Sequence, residues 1–217
     1  MSQKTQKFLF LAFKILLIIV MIAVGVHFYA QLPDQIPTHW NAQWVINGYG
    51  SKLQMLVGLP LMSLVLLVLF TFLPRRDPRT KNYENFFLAR ETIQILILWF
   101  FTYIYCIILY VVLHPEVSIM PLMLWCMGIL FFIMWILMRH VKTNYFVGIR
   151  TPWTLENEEV RDKTHKLGGW TFAAAGILLF ISGFYTVYFV PILIWAIVLA
   201  ALVPTIYSYV IYKKIQK

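Results

Sequence analysis

Six apolar runs, each about 20 residues long, constrain the fold of this chain more than any other feature. They extend over Phe8–Ala30, Leu53–Leu73, Thr92–Leu113, Ser118–Met138, Gly169–Phe189 and Pro191–Tyr212. A helix needs roughly 20 apolar residues to cross the hydrocarbon core of a bilayer. Inside lipid, every backbone polar group must be bonded within the protein. The runs therefore predict an all-α, polytopic membrane protein of six helices, forming a single membrane domain over residues 1–217.

The overall composition excludes an ordinary soluble globule. Hydrophobic residues make up 61% of the chain and charged residues only 12%, about half the charged fraction of a typical soluble domain. Strict alternation of apolar and polar residues is absent from the sequence, which argues against a membrane β-barrel.

The basic residues are distributed unevenly between the predicted loops. The first, third and fifth loops together hold only Lys52, whereas the second and fourth loops and both termini hold nearly all the others. Because basic residues are retained on the cytoplasmic side, this pattern predicts that both termini are cytoplasmic. The net charge of +9 is then a signal of topology and of attraction to anionic membrane lipids, and we do not expect direct binding of nucleic acid.

A few residues inside the predicted helices carry further expectations. Lys14 is predicted to extend its amine to the membrane interface, with a buried functional lysine as the alternative. Cys106 and Cys126 are predicted to be buried free thiols, with a disulfide between them as the alternative. Small residues recur on the fifth and sixth helices, at Gly176 and Gly183 and from Ala196 to Ser208. Such stripes are typical of closely packed membrane helices.

The first outward loop, residues 31–52, is richer than a connector requires. Pro33 and Pro37 stiffen its start, and Asn47-Gly48 is a strong turn signal. Its tryptophans and tyrosine suit the headgroup level. The loop is predicted to form a compact extracellular cap. An aromatic belt with turns explains most of it, but explains His39, Asn41 and Lys52 less well.

The fourth loop, residues 139–168, also has the pattern of a folded element. Gly148 permits unusual backbone dihedrals, and Thr151 is expected to be extended because it precedes a proline. A short surface helix is predicted, capped by Thr154 or Asn157 and ended by Gly168. Glu159 and Lys163 form an i,i+4 pair on it.

Arg150 lies in this loop, and the sequence leaves two roles open for its side chain. Its planar guanidinium is suited to bidentate contacts with a phosphate, a carboxylate or carbonyl groups, and Trp153 is close enough in sequence to stack on it. Simple anchoring at the cytoplasmic face would need only a positive charge, which a lysine also supplies.

The two loops resemble the signatures of the SdpI family of bacterial membrane proteins. The first reads IPTHWNAQWVINGYGSK, against a family pattern of roughly IPtHwnaxGxxdgygsK. The second reads NYFVGIRTPWTLENEEVRDKTHKLGG, against NxxxGiRtpwtlxnexvWxktHrxxG. The order of elements matches over nearly the whole chain. Two departures stand out, Trp44 in place of the usual glycine and Arg161 in place of the usual tryptophan.

This resemblance implies immunity against a secreted peptide toxin, with sequestration of a cytoplasmic ArsR-type repressor at the membrane as a further role. It implies toxin contact at the outer face and a partner surface at the cytoplasmic face, without catalysis, cofactor or metal. The residues carried over to the outer cap are Pro37, His39, Trp40, Asn41, Gly48 and Lys52. Those of the cytoplasmic signature are Asn144, Gly148, Arg150, Thr151, Pro152, Trp153 and His165.

Two other classes of protein remain open from the residues alone. In a metal-dependent intramembrane hydrolase, His27, His39 and His114 would converge near the outer face with Asp34 or Glu116, although no HExxH spacing occurs. A transporter or channel would need charged residues or broken helices within the spans. Only Lys14 and the Gly58-Leu59-Pro60 stretch offer these features.

Overall fold

The computed structural model describes residues 2–41 and 43–216. Its helices and strands, in chain order, are α1 (Gln3–Phe28), β1 (Gln35–Trp40), β2 (Ile46–Ser51), α2 (Lys52–Arg76), α3 (Asn82–Asn85), α4 (Phe87–Leu113), α5 (Ile119–Met138), α6 (Pro152–Glu156), α7 (Glu158–Ser182), α8 (Phe189–Ile197) and α9 (Val203–Ile215). The helical architecture is as predicted. The two strands form a small antiparallel sheet in the first loop, where the sequence predicted a compact cap but no strands.

Five helical segments among the described residues are long and apolar enough to cross a membrane: Gln3–Gln31, Lys52–Arg76, Phe87–Leu113, Ile119–Met138 and Thr186–Ile215. The predicted fifth span, Gly169–Phe189, differs from its expected form. Its helical part is the second half of α7, which ends at Ser182. The 14 residues from Gly169 to Ser182 extend only about 21 Å, less than the roughly 30 Å of a hydrocarbon core.

The predicted short surface helix is not a separate element. Asn157 caps a helix as expected, because its side chain accepts a hydrogen bond from the backbone N–H of Val160, but α7 continues through Gly168. A Cβ on Gly168 would clash with Cδ1 of Ile149 and would lie 3.6 Å from Cβ of Pro204. The prediction that Gly168 ends the helix was wrong, because this glycine permits close packing of its neighbours.

The last apolar run is one helical segment with a local irregularity. A π-helical turn at Val198–Leu202 joins α8 to α9, and Pro204 lies in the first turn of α9. A proline has no N–H to donate, and its ring crowds the carbonyl four residues earlier, so a wider turn at this place relieves both problems.

The chain forms two compact units, of which the first comprises Met1–Phe70 and Gln94–Met123. Its apolar core contains Met21, Ile36 and Tyr105, all fully buried. Lys14 is also buried, at 4% exposure, and its amine donates a hydrogen bond to Oε1 of Gln94. The prediction that Lys14 extends to the interface was wrong, because a polar partner on α4 satisfies it inside the unit.

The second unit comprises Thr71–Ile93 and Leu124–Lys217. Within it, α5 and α7 approach closely at two glycines. A Cβ on Gly176 would lie 2.7 Å from the carbonyl oxygen of Gly128, and Gly183 packs against the indole of Trp125. The small-residue stripe of α7 therefore marks a helix contact, as predicted. Cys126 is a buried free thiol in this unit, while Cys106 of the first unit is free and half-buried.

Candidate functional site

The first loop is a β-hairpin whose strands pair antiparallel. Pro37 lies opposite Tyr49, and His39 lies opposite Gly48, with irregular register on both sides of His39. A Cβ on Gly48 would come within 2.9 Å of Cβ of His39, so the glycine lets the strands approach there. Ile36 is fully buried, and Trp40 packs against the same apolar cluster. One face of the hairpin is thereby fixed to the first unit.

Asn41 organises the turn of the hairpin. Its side-chain oxygen accepts hydrogen bonds from the backbone N–H groups of Gln43 and Val45, at 3.0 and 2.9 Å. Its own backbone N–H donates to the carbonyl of Val45. Trp44 has a φ of +58° in this turn, in the left-handed region that favours glycine. The resemblance places a glycine at this position, and the backbone supplies the physical reason.

His39 and Lys52 occupy different settings on the hairpin. His39 is exposed, and its Nδ1 lies 2.5 Å from Oδ1 of Asn47. Lys52 lies at the base, where Nζ donates to the carbonyl of Tyr29 at 3.2 Å and approaches the carboxylate of Asp34 at 3.7 Å. Each residue thus has a local structural role, and His39 also remains accessible to a partner.

Asn144 is the centre of the cytoplasmic signature. It is fully buried. Its Oδ1 accepts from the backbone N–H groups of Phe146 and Val147 at 2.8 and 2.6 Å, and its Nδ2 donates to the carbonyls of Lys142 and Val147. These bonds shape the irregular segment between α5 and α6, and an aspartate could supply only the accepting half of them.

A buried carboxylate, Asp77, fixes this segment from the preceding loop. It accepts hydrogen bonds from the hydroxyl of Tyr83 at 2.7 Å, from the backbone N–H of Tyr145 at 2.8 Å and from that of Arg79 at 2.7 Å. Burial and this contact raise the pKa of Tyr83, which keeps the phenol a donor. Sequence reasoning missed Asp77 and Tyr83 because their pairing with the signature is long-range. Asp77-Pro78 signals a turn but not its partner.

Gly148 and His165 meet within the same unit. Gly148 has a φ of +97°, which confirms the unusual dihedral expected there. Nε2 of His165 accepts from the backbone N–H of Ile149 at 3.2 Å, and Nδ1 lies 3.0 Å from the carbonyl of Arg161, to which it donates. These bonds define a neutral imidazole protonated on Nδ1. Burial first, and then the charge of Arg161, lower the pKa of His165 to about 4.

Thr151, Pro152 and Trp153 form the start of α6. Thr151 is extended, as predicted, and forms a capping box with Thr154. Its hydroxyl also lies 3.0 Å from that of Ser208 on α9, and Trp153 packs on Tyr209 with ring centroids 5.0 Å apart. The signature therefore attaches to the last helix through α6, and Trp153 packs against Tyr209 with the two rings tilted by 51°, where stacking on Arg150 was considered.

Arg150 differs from the rest of the signature because it is exposed. Its Nη1 donates to the carbonyl of Tyr145 at 2.8 Å. Glu159 and Lys163 form the predicted ion pair on the nearby surface of α7, at 2.7 Å. The arrangement as a whole is a rigid, hydrogen-bonded scaffold that presents charged side chains, and its chemistry suits binding of a partner.

The hydrolase alternative required a group of metal ligands. In residues 2–41 and 43–216, no three or more histidine, cysteine, aspartate or glutamate side chains lie close enough together to hold an ion. Of the histidines considered, His114 contacts Glu116 at 3.4 Å, and His27 packs edge-on against Phe28.

Comparisons with known proteins agree with the two loop signatures. Residues 140–208 match the SdpI/YfhL protein family, and residues 16–64 match a domain of unknown function (DUF1648). The immunity protein SdpI of Bacillus subtilis (strain 168) is 28% identical over 190 residues, which cover 87% of this chain and 88% of that protein. No solved structure matches the chain. The resemblance to the SdpI family is confirmed, and with the apolar helices it identifies a multi-pass protein of the cell membrane.

Proposed function

From its similarity to the SdpI family, we propose that this membrane protein confers immunity against a secreted peptide toxin. The observation that carries the proposal is the 28% identity to an immunity protein across nearly the full length of both chains. Two folded loops support it, because a membrane protein that only anchors itself has no need of a hairpin or of a hydrogen-bonded loop. The proposal includes no catalytic step, metal or cofactor.

The proposed topology has six spans with both termini in the cytoplasm. The basic residues favour this arrangement. In it, the charged first turns of α7 lie at the cytoplasmic interface, and the apolar half of α7 crosses together with the apolar residues that follow it up to Phe189. Cysteines introduced at the exposed positions Gln43 and Glu158 test it with an impermeant thiol reagent on whole cells. Gln43→Cys should label and Glu158→Cys should not. The unaltered chain is the control, and equal labelling of both variants would refute the topology.

On the outer face, the hairpin is the proposed contact for the toxin. His39 is exposed on it, whereas Asn41 and Lys52 have structural bonds of their own. In a toxin-sensitive host, His39→Ala should therefore reduce survival without lowering the amount of protein in the membrane. Gln35→Ala, at another exposed hairpin position, is the matched control. Full survival with His39→Ala at normal protein levels would leave the hairpin a purely structural role.

On the cytoplasmic face, the signature is the proposed surface for an ArsR-type repressor. The exposed residues Arg150 and Glu159 can meet a partner, whereas Asn144 and His165 are buried and support the surface. Co-purification of a tagged repressor with membranes, with and without toxin, tests this role separately from survival. Retention of the repressor in the cytosol under toxin, while cells survive, would show immunity without signalling.

A further inference from the structure

Arg161 is the least expected buried residue of the molecule. It has no exposed surface, and among the residues that the structure describes only its Nη2 has an acceptor, the carbonyl of Val147 at 3.0 Å. Its Nε and Nη1 are buried without a hydrogen-bond partner in the part of the chain that the structure describes. A buried cation normally has a counter-charge or a full set of acceptors, because its desolvation is otherwise too costly.

Two more unpartnered donors belong to the same region. Nη1 of Arg79 is buried without an acceptor among residues 2–41 and 43–216, although its Nη2 donates to the carbonyl of Leu155 at 2.8 Å. The hydroxyl of Thr164 is likewise buried and unpartnered within those ranges. Thr164 follows Arg161 by three residues on α7, so the two side chains lie on neighbouring positions of one helix face.

The local charge is positive. Arg79 and Arg150 both lie near enough to disfavour a further positive charge, and burial together with Arg79 lowers the pKa of Arg161 to about 10, while Asp162 opposes the shift. At neutral pH the guanidinium therefore stays protonated. The buried carboxylate of Asp77, which contacts Tyr83, is already occupied by three donors. Within the described residues, no carboxylate forms an ion pair with Arg161.

We propose that Arg161, Arg79 and Thr164 form a binding site for a small inorganic anion, of the size of chloride or phosphate. Such an anion would accept from the guanidinium and hydroxyl groups that lack a protein acceptor, and it would neutralise a charge that the fold encloses. The complete burial of Arg161 favours a free ion over the headgroup of a lipid that stays in the bilayer. The family pattern given above has a tryptophan at the position of Arg161, so the resemblance does not itself imply this site.

The site goes beyond immunity, and its test uses no toxin. The purified full-length protein in an uncharged detergent is titrated with sodium chloride or sodium phosphate at constant ionic strength, with sodium gluconate as the replacing salt. The midpoint of thermal unfolding should rise and saturate with the small anion. A midpoint that is the same in all three salts would overturn the proposal.

Variants then locate the effect. Arg161→Gln and Arg161→Trp should raise the half-saturating anion concentration about tenfold or more, because a hydrogen bond to a charged group is lost. Thr164→Val keeps the side-chain shape and should weaken binding by a smaller factor if an Arg161 variant fails to fold. Arg76→Gln removes an exposed arginine and should leave the response unchanged. An unaltered response in the Thr164 and Arg161 variants would contradict the assignment.

A last arm distinguishes a free ion from a lipid phosphate. The protein is reconstituted into nanodiscs of phosphatidylcholine alone or with phosphatidylglycerol, and both are titrated with chloride. The proposal expects a saturating response in both lipids, with a higher half-saturating concentration in the anionic discs because their surface repels chloride. Stabilisation by phosphatidylglycerol that abolishes the chloride response, and that is lost in Arg161→Gln, would assign the site to a headgroup and overturn the free ion.

Discussion

The backbone of Gly148 lies directly against the imidazole of His165, so closely that a Cβ at position 148 would clash with Nε2. The same glycine has a φ of +97°, which side chains disfavour. Steric and dihedral requirements therefore coincide at one residue, and they hold the irregular segment against α7.

Gly148→Ala should lower the free energy of unfolding by about 1–3 kcal/mol, because the alanine would be strained and would displace His165. The measurement is thermal unfolding of the purified protein in detergent. Gly58→Ala is the matched control, since a Cβ there would meet nothing within 4 Å, and alanine is the better helix former. Equal stability of the two variants would contradict the account of Gly148.

The neutral imidazole of His165 predicts a dependence of stability on pH. Its pKa is lowered from 6.5 to about 4 in the folded protein, so the unfolded chain binds a proton at a higher pH than the folded chain does. The contribution of His165 is present above pH 6.5 and is lost as the pH falls toward 4. The full loss is on the order of 3 kcal/mol. Unfolding midpoints measured from pH 7.5 to 4 should fall, and His165→Gln should flatten this part of the curve.

A control separates His165 from the other titrating groups. His140 is exposed, so His140→Gln should keep the slope of the unaltered protein. Arg161, with a pKa of about 10, stays charged throughout this pH range and does not produce the slope. The same slope in the His165 and His140 variants would assign the effect to carboxylates.

The membrane helices could be predicted from the sequence, because a run of 20 apolar residues has few other structures available to it. The unusual dihedral of Gly148 and the cap at Asn157 were also predictable, since both are local. The strand pairing of the hairpin and the burial of Lys14 were not, because each depends on a partner distant in the chain. Lys14 needed Gln94, and nothing near Lys14 in sequence indicates it.

The cytoplasmic signature shows the same limit within one site. Its pattern predicted Asn144, Gly148 and His165, but not Asp77, which precedes them by more than 60 residues. The sequence alone showed that Arg161 replaces the tryptophan of the family pattern. Its burial, and the absence of a partner for its Nε and Nη1 among the described residues, depend on how the distant parts of the chain pack around it.

Asp77→Ala should destabilise the protein by at least about 2 kcal/mol, because the hydroxyl of Tyr83 and the backbone N–H of Tyr145 would lose their acceptor in a buried place. Thermal unfolding measures the loss. Asp34→Ala is the control, since the Asp34 side chain is fully exposed and its contact with Lys52 is 3.7 Å long. An exposed pair of this kind contributes about 1 kcal/mol or less. A smaller effect at Asp77 than at Asp34 would contradict its assignment as an anchor of the signature.

Substitutions at Arg150 can distinguish a structural role of this residue from a role in recognition. Its one hydrogen bond among the described residues runs from Nη1 to the carbonyl of Tyr145. A lysine can supply one such donor, and an alanine none. Arg150→Lys should therefore leave the free energy of unfolding within about 0.5 kcal/mol of the original, and Arg150→Ala should lower it by about 1 kcal/mol.

The cellular readout of Arg150 is independent of that stability. The exposed guanidinium could contact a cytoplasmic partner through two donors. In that case Arg150→Lys should lose reporter induction nearly as completely as Arg150→Ala, because a lysine ammonium cannot form two parallel hydrogen bonds with the same geometry. Protein levels and survival in toxin are measured in the same cells, with Arg76→Lys as the control at another exposed arginine. Full induction by Arg150→Lys would show that a positive charge suffices and would contradict recognition through two donors.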